Sequence, residues 1–127
     1  MKQIRIILLT LLILLFAFLQ AQADSGAPLV LVMNIDGPIA PAAQEYLVRS
    51  LKIAEQRSAE MLILQLNTPG GSIDTMNDML QAIRTSTVPV VVYVAPRGSM
   101  AGSAGTMITL AGHASAMAPE TIIGAAS

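Results

Sequence analysis

The chain has no cysteine and no tryptophan, and its 127 residues include only two tyrosines, two phenylalanines and one histidine. Without cysteine there is no disulfide framework and no thiolate chemistry. With His113 as the one imidazole, a zinc site would need carboxylates for its other ligands, a poor set, and no metal is expected. The shortage of aromatics leaves Val, Ile, Leu, Met and Ala to build the core. Charge is sparse as well, at 12% of residues. Beyond residue 23, 5 basic side chains stand against 8 acidic ones, a net charge near −3. That balance argues against a nucleic-acid partner, which requires a basic surface. Internal repeats, linkers and low-complexity segments are also missing, and the length allows one domain at most.

What is present starts with a leader. "MKQIR" carries Lys2 and Arg5, "IILLTLLILLFAFL" runs apolar from Ile6 to Leu19 apart from Thr10, and "AQA" supplies a small-x-small site at Ala21–Ala23. A basic start, an apolar middle and such a site read as a secretory signal peptide over residues 1–23. As a helix, the apolar run would reach about 21 Å. A permanent span of a ~30 Å bilayer core needs about 20 apolar residues. An uncleaved amino-terminal anchor is the alternative. Either way residues 24–127 form the domain, exported to the outer side of a membrane and associated with it.

That domain alternates strand and helix. "PLVLVMNI" (Pro28 to Ile35) is a β-branched apolar run closed by Asp36-Gly37-Pro38. In the next segment Ile39, Ala43, Leu47, Leu51 and Ala54 recur at helical spacing, with Pro41 suited to the first turn. "MLILQL" (Met61 to Leu66) and "VPVVVYVA" (Val88 to Ala95) are continuous apolar runs, as expected of strands covered on both faces. Between them Ile73, Met76, Leu80 and Ile83 mark a second helix. "ASAMAP" supplies a fourth short strand. The pattern predicts an α/β fold with a mostly parallel sheet and crossover helices.

Ligands of open α/β sheets gather at the carboxyl ends of the strands. Two glycine-rich loops leave such ends, "NTPGGS" and "PRGSMAGSAG". Alone, the Pro-Gly-Gly of the first is a plain turn. It is also a place where Gly70 and Gly71 can turn backbone N–H groups toward an anion. Alone, the small residues of the second let a helix pack tightly. They also place Ser103 in the first turn of that helix, where N–H groups and the positive dipole end would stabilise an oxyanion. "AGSAG" (Ala101 to Gly105) is one letter from a G-x-S-x-G nucleophile elbow. Ser99, one turn earlier, competes with Ser103. His113 lies ten residues beyond Ser103, about 15 Å along a helix, and is read as a helix-end or surface residue rather than its base. Asp74 and Asp78 read as a solvated helix face, and Met76, Met79 and Met107 as core filler.

Taken together, "NTPGG" after an apolar strand and "VPVVVYVAPRGSMAGSAGTMITLAGHASAMAPETIIGAAS" resemble the membrane-bound serine proteases of the nodulation-efficiency protein D (NfeD) family, in the ClpP/crotonase-like superfamily. The resemblance runs from about Leu29 to Ser127. It implies Ser103 as nucleophile, with Gly71, joined by Gly70, and Ala104 as oxyanion-hole donors. The implied base is a lysine, forming a Ser–Lys dyad. Beyond the leader the only lysine is Lys52, on the first helix after it. The family's lysine is therefore expected beyond Ser127, with this chain the amino-terminal part of a longer protein and its sheet incomplete at the carboxyl end. The resemblance also implies a polypeptide substrate, apolar segments of membrane proteins, a stomatin-like partner, a homo-oligomer and no cofactor. Two alternatives stand beside it. One is a non-hydrolytic crotonase-like protein using the same N–H pair on a coenzyme A thioester, against which the exported location argues. The other is a catalytically inactive scaffold for a membrane partner.

Overall fold

The computed structural model describes residues 2–22 and 27–125, with side chains described for 2–15 and 27–125. The segment read above as a leader forms α1 (Lys2–Gln22), whose apolar side chains from Ile4 to Leu15 are exposed. Among the described residues no helix is long and apolar enough to cross a membrane. The small-x-small site ends at Ala23, which lies outside the described residues.

After the leader come β1 (Val30–Asp36), α2 (Pro41–Gln56), β2 (Met61–Asn67), α3 (Ile73–Arg84), β3 (Val90–Val94), β4 (Met100–Gly102), α4 (Ala104–Ala111), β5 (Ala114–Met117) and β6 (Ile122–Gly124). Four strands form one parallel sheet in the order β1-β2-β3-β5. β4 and β6 form a second, two-stranded parallel sheet. The α/β architecture is thus the one that the alternation predicts. The sequence pattern does not reveal β4 and β6, which are three residues each and rich in small side chains.

Local chemistry explains the helix starts. Pro41 opens α2, where its missing N–H costs nothing. Ser72 caps α3, its hydroxyl accepting the Thr75 N–H at 3.2 Å. Asp74 in the first turn and Arg84 in the last complement the helix dipole.

A strand order that steps steadily across the sheet, with right-handed crossovers, puts successive helices on one face. Burial follows that rule. Met33, Leu64 and Val92 point into one core with Leu47, Met79 and Ile108 of the three helices. The alternate residues Ile63, Gln65, Val91 and Tyr93 are half-buried, and Val32 is exposed. The expectation that β2 and β3 are covered on both faces is corrected accordingly, since their burial alternates. Two helix positions are corrected as well. Ile73 is 70% exposed because it is the first residue of α3 and clears the core, whereas Thr75 is buried in its place. Met107 is exposed on α4, while Met79 is fully buried and Met76 packs against the core.

Candidate active site

The site is assembled where β2 and β3 end. The main chain leaving β2 runs beside β4. The Thr68 N–H donates to the Met100 carbonyl at 2.7 Å, and the Gly102 N–H donates to the Thr68 carbonyl at 2.9 Å. Those two bonds hold the "NTPGGS" loop against the serine-bearing segment. On its other side that loop is held by the turn after β1. The Ile39 N–H donates to the Gly70 carbonyl, and the Ser72 N–H to the Ile39 carbonyl, each at 2.9 Å.

Ser103 sits between β4 and α4 with φ 48° and ψ −113°. A positive φ at a non-glycine residue is strained, and strain of this kind gathers at functional sites. A serine on a sharp strand-to-helix turn is the geometry of a nucleophile elbow. Ser103 therefore occupies the N-cap position rather than the first turn of α4. Its side chain is exposed, and no hydrogen bond among the described residues involves its Oγ. Ser99 is buried and lies in the turn before β4, its N–H donating to the Pro96 carbonyl. The two candidate serines are thus separated by access. That turn is fastened to the β5–β6 connection by the exposed Arg97–Glu120 ion pair, which holds the Glu120 carboxyl below its ordinary range.

Three glycines make the close approaches possible. A Cβ on Gly70, where φ is +115°, would lie 2.9 Å from Ser103 Cβ and 3.4 Å from its Oγ. A Cβ on Gly71 would lie 2.2 Å from the Ile39 carbonyl oxygen. A Cβ on Gly105 would lie 2.5 Å from the Thr68 methyl.

The proposed donors differ in availability. The Gly70 N–H is taken by Thr68 Oγ1 at 3.1 Å, so Gly70 does not offer it to a ligand. Its contribution is to let the loop touch Ser103. The buried Thr68 hydroxyl that accepts it belongs to the same "NTPGGS" loop, a residue to which the sequence reading gave no role. The N–H groups of Gly71 and Ala104 donate to no backbone or side-chain acceptor among the described residues. Ala104 begins α4, where the first N–H groups have no intrahelical partner and the dipole is positive.

Neither candidate base of the described chain joins this cluster. His113 lies at the opposite end of the sheet, its Nδ1 accepting the Val90 N–H at 3.1 Å at the start of β3. Lys52 lines a groove between α2 and the segment after α3, with Glu55, Thr85 and Thr87. Asp74 and Asp78 are exposed on α3. Among the described residues no cluster of three metal-ligating side chains occurs.

Two expectations follow from this packing. Gly105→Ala should lower stability by about 1–3 kcal/mol through overpacking against the buried Thr68 methyl. Adding Thr68→Ser removes that methyl, keeps the hydroxyl, and should recover most of the loss in thermal unfolding. Equal midpoints for Gly105→Ala alone and the double variant would contradict the contact. His113→Ala should cost about 1–3 kcal/mol, because it takes the acceptor from the N–H of the buried Val90. It should leave the reactivity of Ser103 toward a fluorophosphonate unchanged, as read by mass spectrometry of the labelled protein.

The fold and site define a ClpP-like α/β domain. Residues 29–127 match the family model described as NfeD1b, N-terminal domain, and the chain belongs to that family. It is 43% identical over 121 residues to the membrane-bound protease PH1510 of Pyrococcus horikoshii, covering 95% of this chain and 27% of the relative. It is 34% identical over 126 residues to the membrane protein NfeD1b of Bacillus subtilis, covering 99% of this chain and 28% of the relative. The chain thus spans little more than a quarter of the length of these curated relatives.

Among solved structures, the chain is similar to 1510-N, a membrane protease specific for a stomatin homologue from Pyrococcus horikoshii. The TM-score is 0.75 at 45% identity, covering 79% of this chain and 50% of that one. A lysine-to-alanine mutant of 1510-N, in complex with a substrate peptide, gives a TM-score of 0.75 at 45% identity, covering 76% and 44%. ClpP1 from Listeria monocytogenes shares the fold, with a TM-score of 0.58 at 23% identity over 64% of this chain and 46% of that one.

Proposed function

We propose that residues 24–127 are the nucleophile-bearing part of a membrane-associated serine endopeptidase. The observation that carries the reading is Ser103, exposed at φ 48° on the β4–α4 turn, with the Gly70 backbone against it. In the proposed reaction Ser103 Oγ attacks the scissile carbonyl of a peptide and transfers its proton to a base. The developing oxyanion is received by the Gly71 and Ala104 N–H groups. Collapse expels the leaving peptide as an amine that takes that proton back from the base, and leaves an acyl-serine, which water then hydrolyses. Donors of this kind each contribute on the order of 10²–10³ in rate.

The base of the proposed Ser–Lys dyad is a lysine outside residues 1–127, because Lys52 and His113 are committed elsewhere. That the peptide-bound relative is a lysine mutant supports this choice. The relatives' names support a polypeptide substrate and a stomatin-like protein as its source. The proposed sites of cleavage are apolar segments of membrane proteins. The remaining parts of the reading are a leader over residues 1–23, an exported and membrane-associated location, and a homo-oligomeric assembly, with no cofactor or nucleic acid involved.

A fluorophosphonate probe tests the reading on the full-length protein. The expected result is a single adduct mapped to Ser103. Labelling of Ser99 instead, or of another serine, would overturn it. The absence of any adduct would favour the second reading, an inactive scaffold that binds a stomatin-like membrane partner. That reading rests on the placement of Lys52 and His113 away from Ser103.

A further inference from the structure

Ser103 is not held in its strained conformation by α4 alone. Its N–H donates to the Gly124 carbonyl at 2.8 Å, across 21 residues of chain. Gly124 is the last residue of β6, paired with Gly102 of β4, and the Thr106 side chain ties that pairing to α4. The Gly124 N–H donates to Thr106 Oγ1 at 3.0 Å, and Thr106 Oγ1 lies 2.9 Å from the Gly124 carbonyl oxygen. The same hydroxyl lies 2.9 Å from the Ala101 carbonyl, in β4 just before the serine. The Thr106 N–H donates to the Ser103 carbonyl at 2.9 Å. One residue therefore touches the backbone before the serine, the serine's own carbonyl, and the acceptor of the serine's N–H.

The hydroxyl has one proton and two lone pairs. It accepts from the Gly124 N–H and donates to one of the two carbonyls at a time. Valine at this position would keep the bulk and take the hydroxyl away from the Gly124 N–H and from the Gly124 and Ala101 carbonyls. Gly124 has φ +149° and open space around it, so no side chain of its own restrains it.

We propose that Thr106 is a positioning residue, whose hydroxyl locks β6 to the β4–α4 turn and thereby fixes the backbone of Ser103 and the aim of the Ala104 N–H. This rests on the reading of Ser103 as nucleophile. The Thr106 hydroxyl is engaged by the Ala101 and Gly124 backbone, so its removal is expected to act on the chemical step rather than on binding. A displacement of about 1 Å in a reacting group costs on the order of 10² in rate.

The test compares Thr106→Val, Thr106→Ala and Thr106→Ser in the full-length protein, with the rate of fluorophosphonate acylation and the kcat and KM for an apolar peptide as readouts. Thr106→Val and Thr106→Ala are expected to lower acylation and kcat by roughly 10- to 100-fold, with KM within about threefold of the parent. Thr106→Ser, which restores the hydroxyl, is expected to recover both rates to within about threefold. Amide hydrogen exchange at Ser103 should speed up in the Thr106→Ala variant relative to amides in the middle of α3, and this is read without any activity. Unchanged acylation in the valine and alanine variants would overturn the inference, as would a serine variant as slow as they are. So would unchanged exchange at Ser103. If Ser103→Ala leaves acylation and turnover intact, the nucleophile reading itself fails, an outcome distinct from all of these.

Discussion

Ser103→Ala in the full-length protein is expected to abolish peptide cleavage, with a fall of at least about 10³-fold in kcat, and to remove the fluorophosphonate adduct. Loss of a nucleophile in a serine hydrolase leaves only what the oxyanion donors and binding supply. The fold should survive, because the serine side chain is exposed and hydrogen-bonded to nothing among the described residues. Alanine tolerates φ 48° no better and no worse than serine does, so the strain stays in place. The expected result is therefore a dead protein with an unchanged melting midpoint. Cleavage that persists in this variant would remove Ser103 from the reaction and with it the whole reading of the site.

Gly71→Ala is expected to have the largest structural effect of any single methyl group added to the site. Its Cβ would come within 2.2 Å of the Ile39 carbonyl oxygen and 2.6 Å of the Ile39 nitrogen. These are backbone atoms in a segment pinned on both sides by hydrogen bonds, so no side-chain rotation relieves the clash. Relief requires the "NTPGGS" loop to lift from the β1–α2 turn. The cost is about 1–3 kcal/mol, which for a domain of this size lowers the melting midpoint by roughly 10 °C. If the Gly71 N–H is an oxyanion donor as proposed, the shift should also slow acylation by on the order of 10². A variant with parental stability and reactivity would show that the Ile39 contact does not hold the loop.

Much of this was legible in the chain. Hydrophobic runs and their turn residues locate β1, α2, β2, α3 and β3 because each buries a regular face, and burial leaves a periodic trace. The roles of Ser103, Gly70, Gly71 and Ala104 came from the family resemblance that the two glycine-rich loops carry, not from the spacing of either loop alone. The misses have physical causes. β4 and β6 hold three residues each and are built on small side chains, so they leave no periodic trace. The exclusion of Gly70 as a donor depends on Thr68, two positions earlier, turning its hydroxyl back onto the main chain. The letters place that threonine inside "NTPGG" but do not show that its hydroxyl turns onto the Gly70 N–H. The one-sided cover of β2 and β3 was hidden because apolar residues occupy both their buried and half-buried faces. Thr106 belongs to the same class, since its role appears only once Gly124 is beside it.

The bond from Ser103 to Gly124 has a consequence for the order of folding. The contact spans 21 residues, and the β4–β6 ladder it terminates cannot form until the last of them is available. Local helix formation in α4 comes early by comparison, since its bonds close short loops. A nascent chain that has emerged only as far as α4 thus carries the serine but lacks the strand that holds it in place. On the proposed reading of Ser103, the conformation that the reaction needs follows β6, so a chain made only as far as α4 carries no positioned nucleophile.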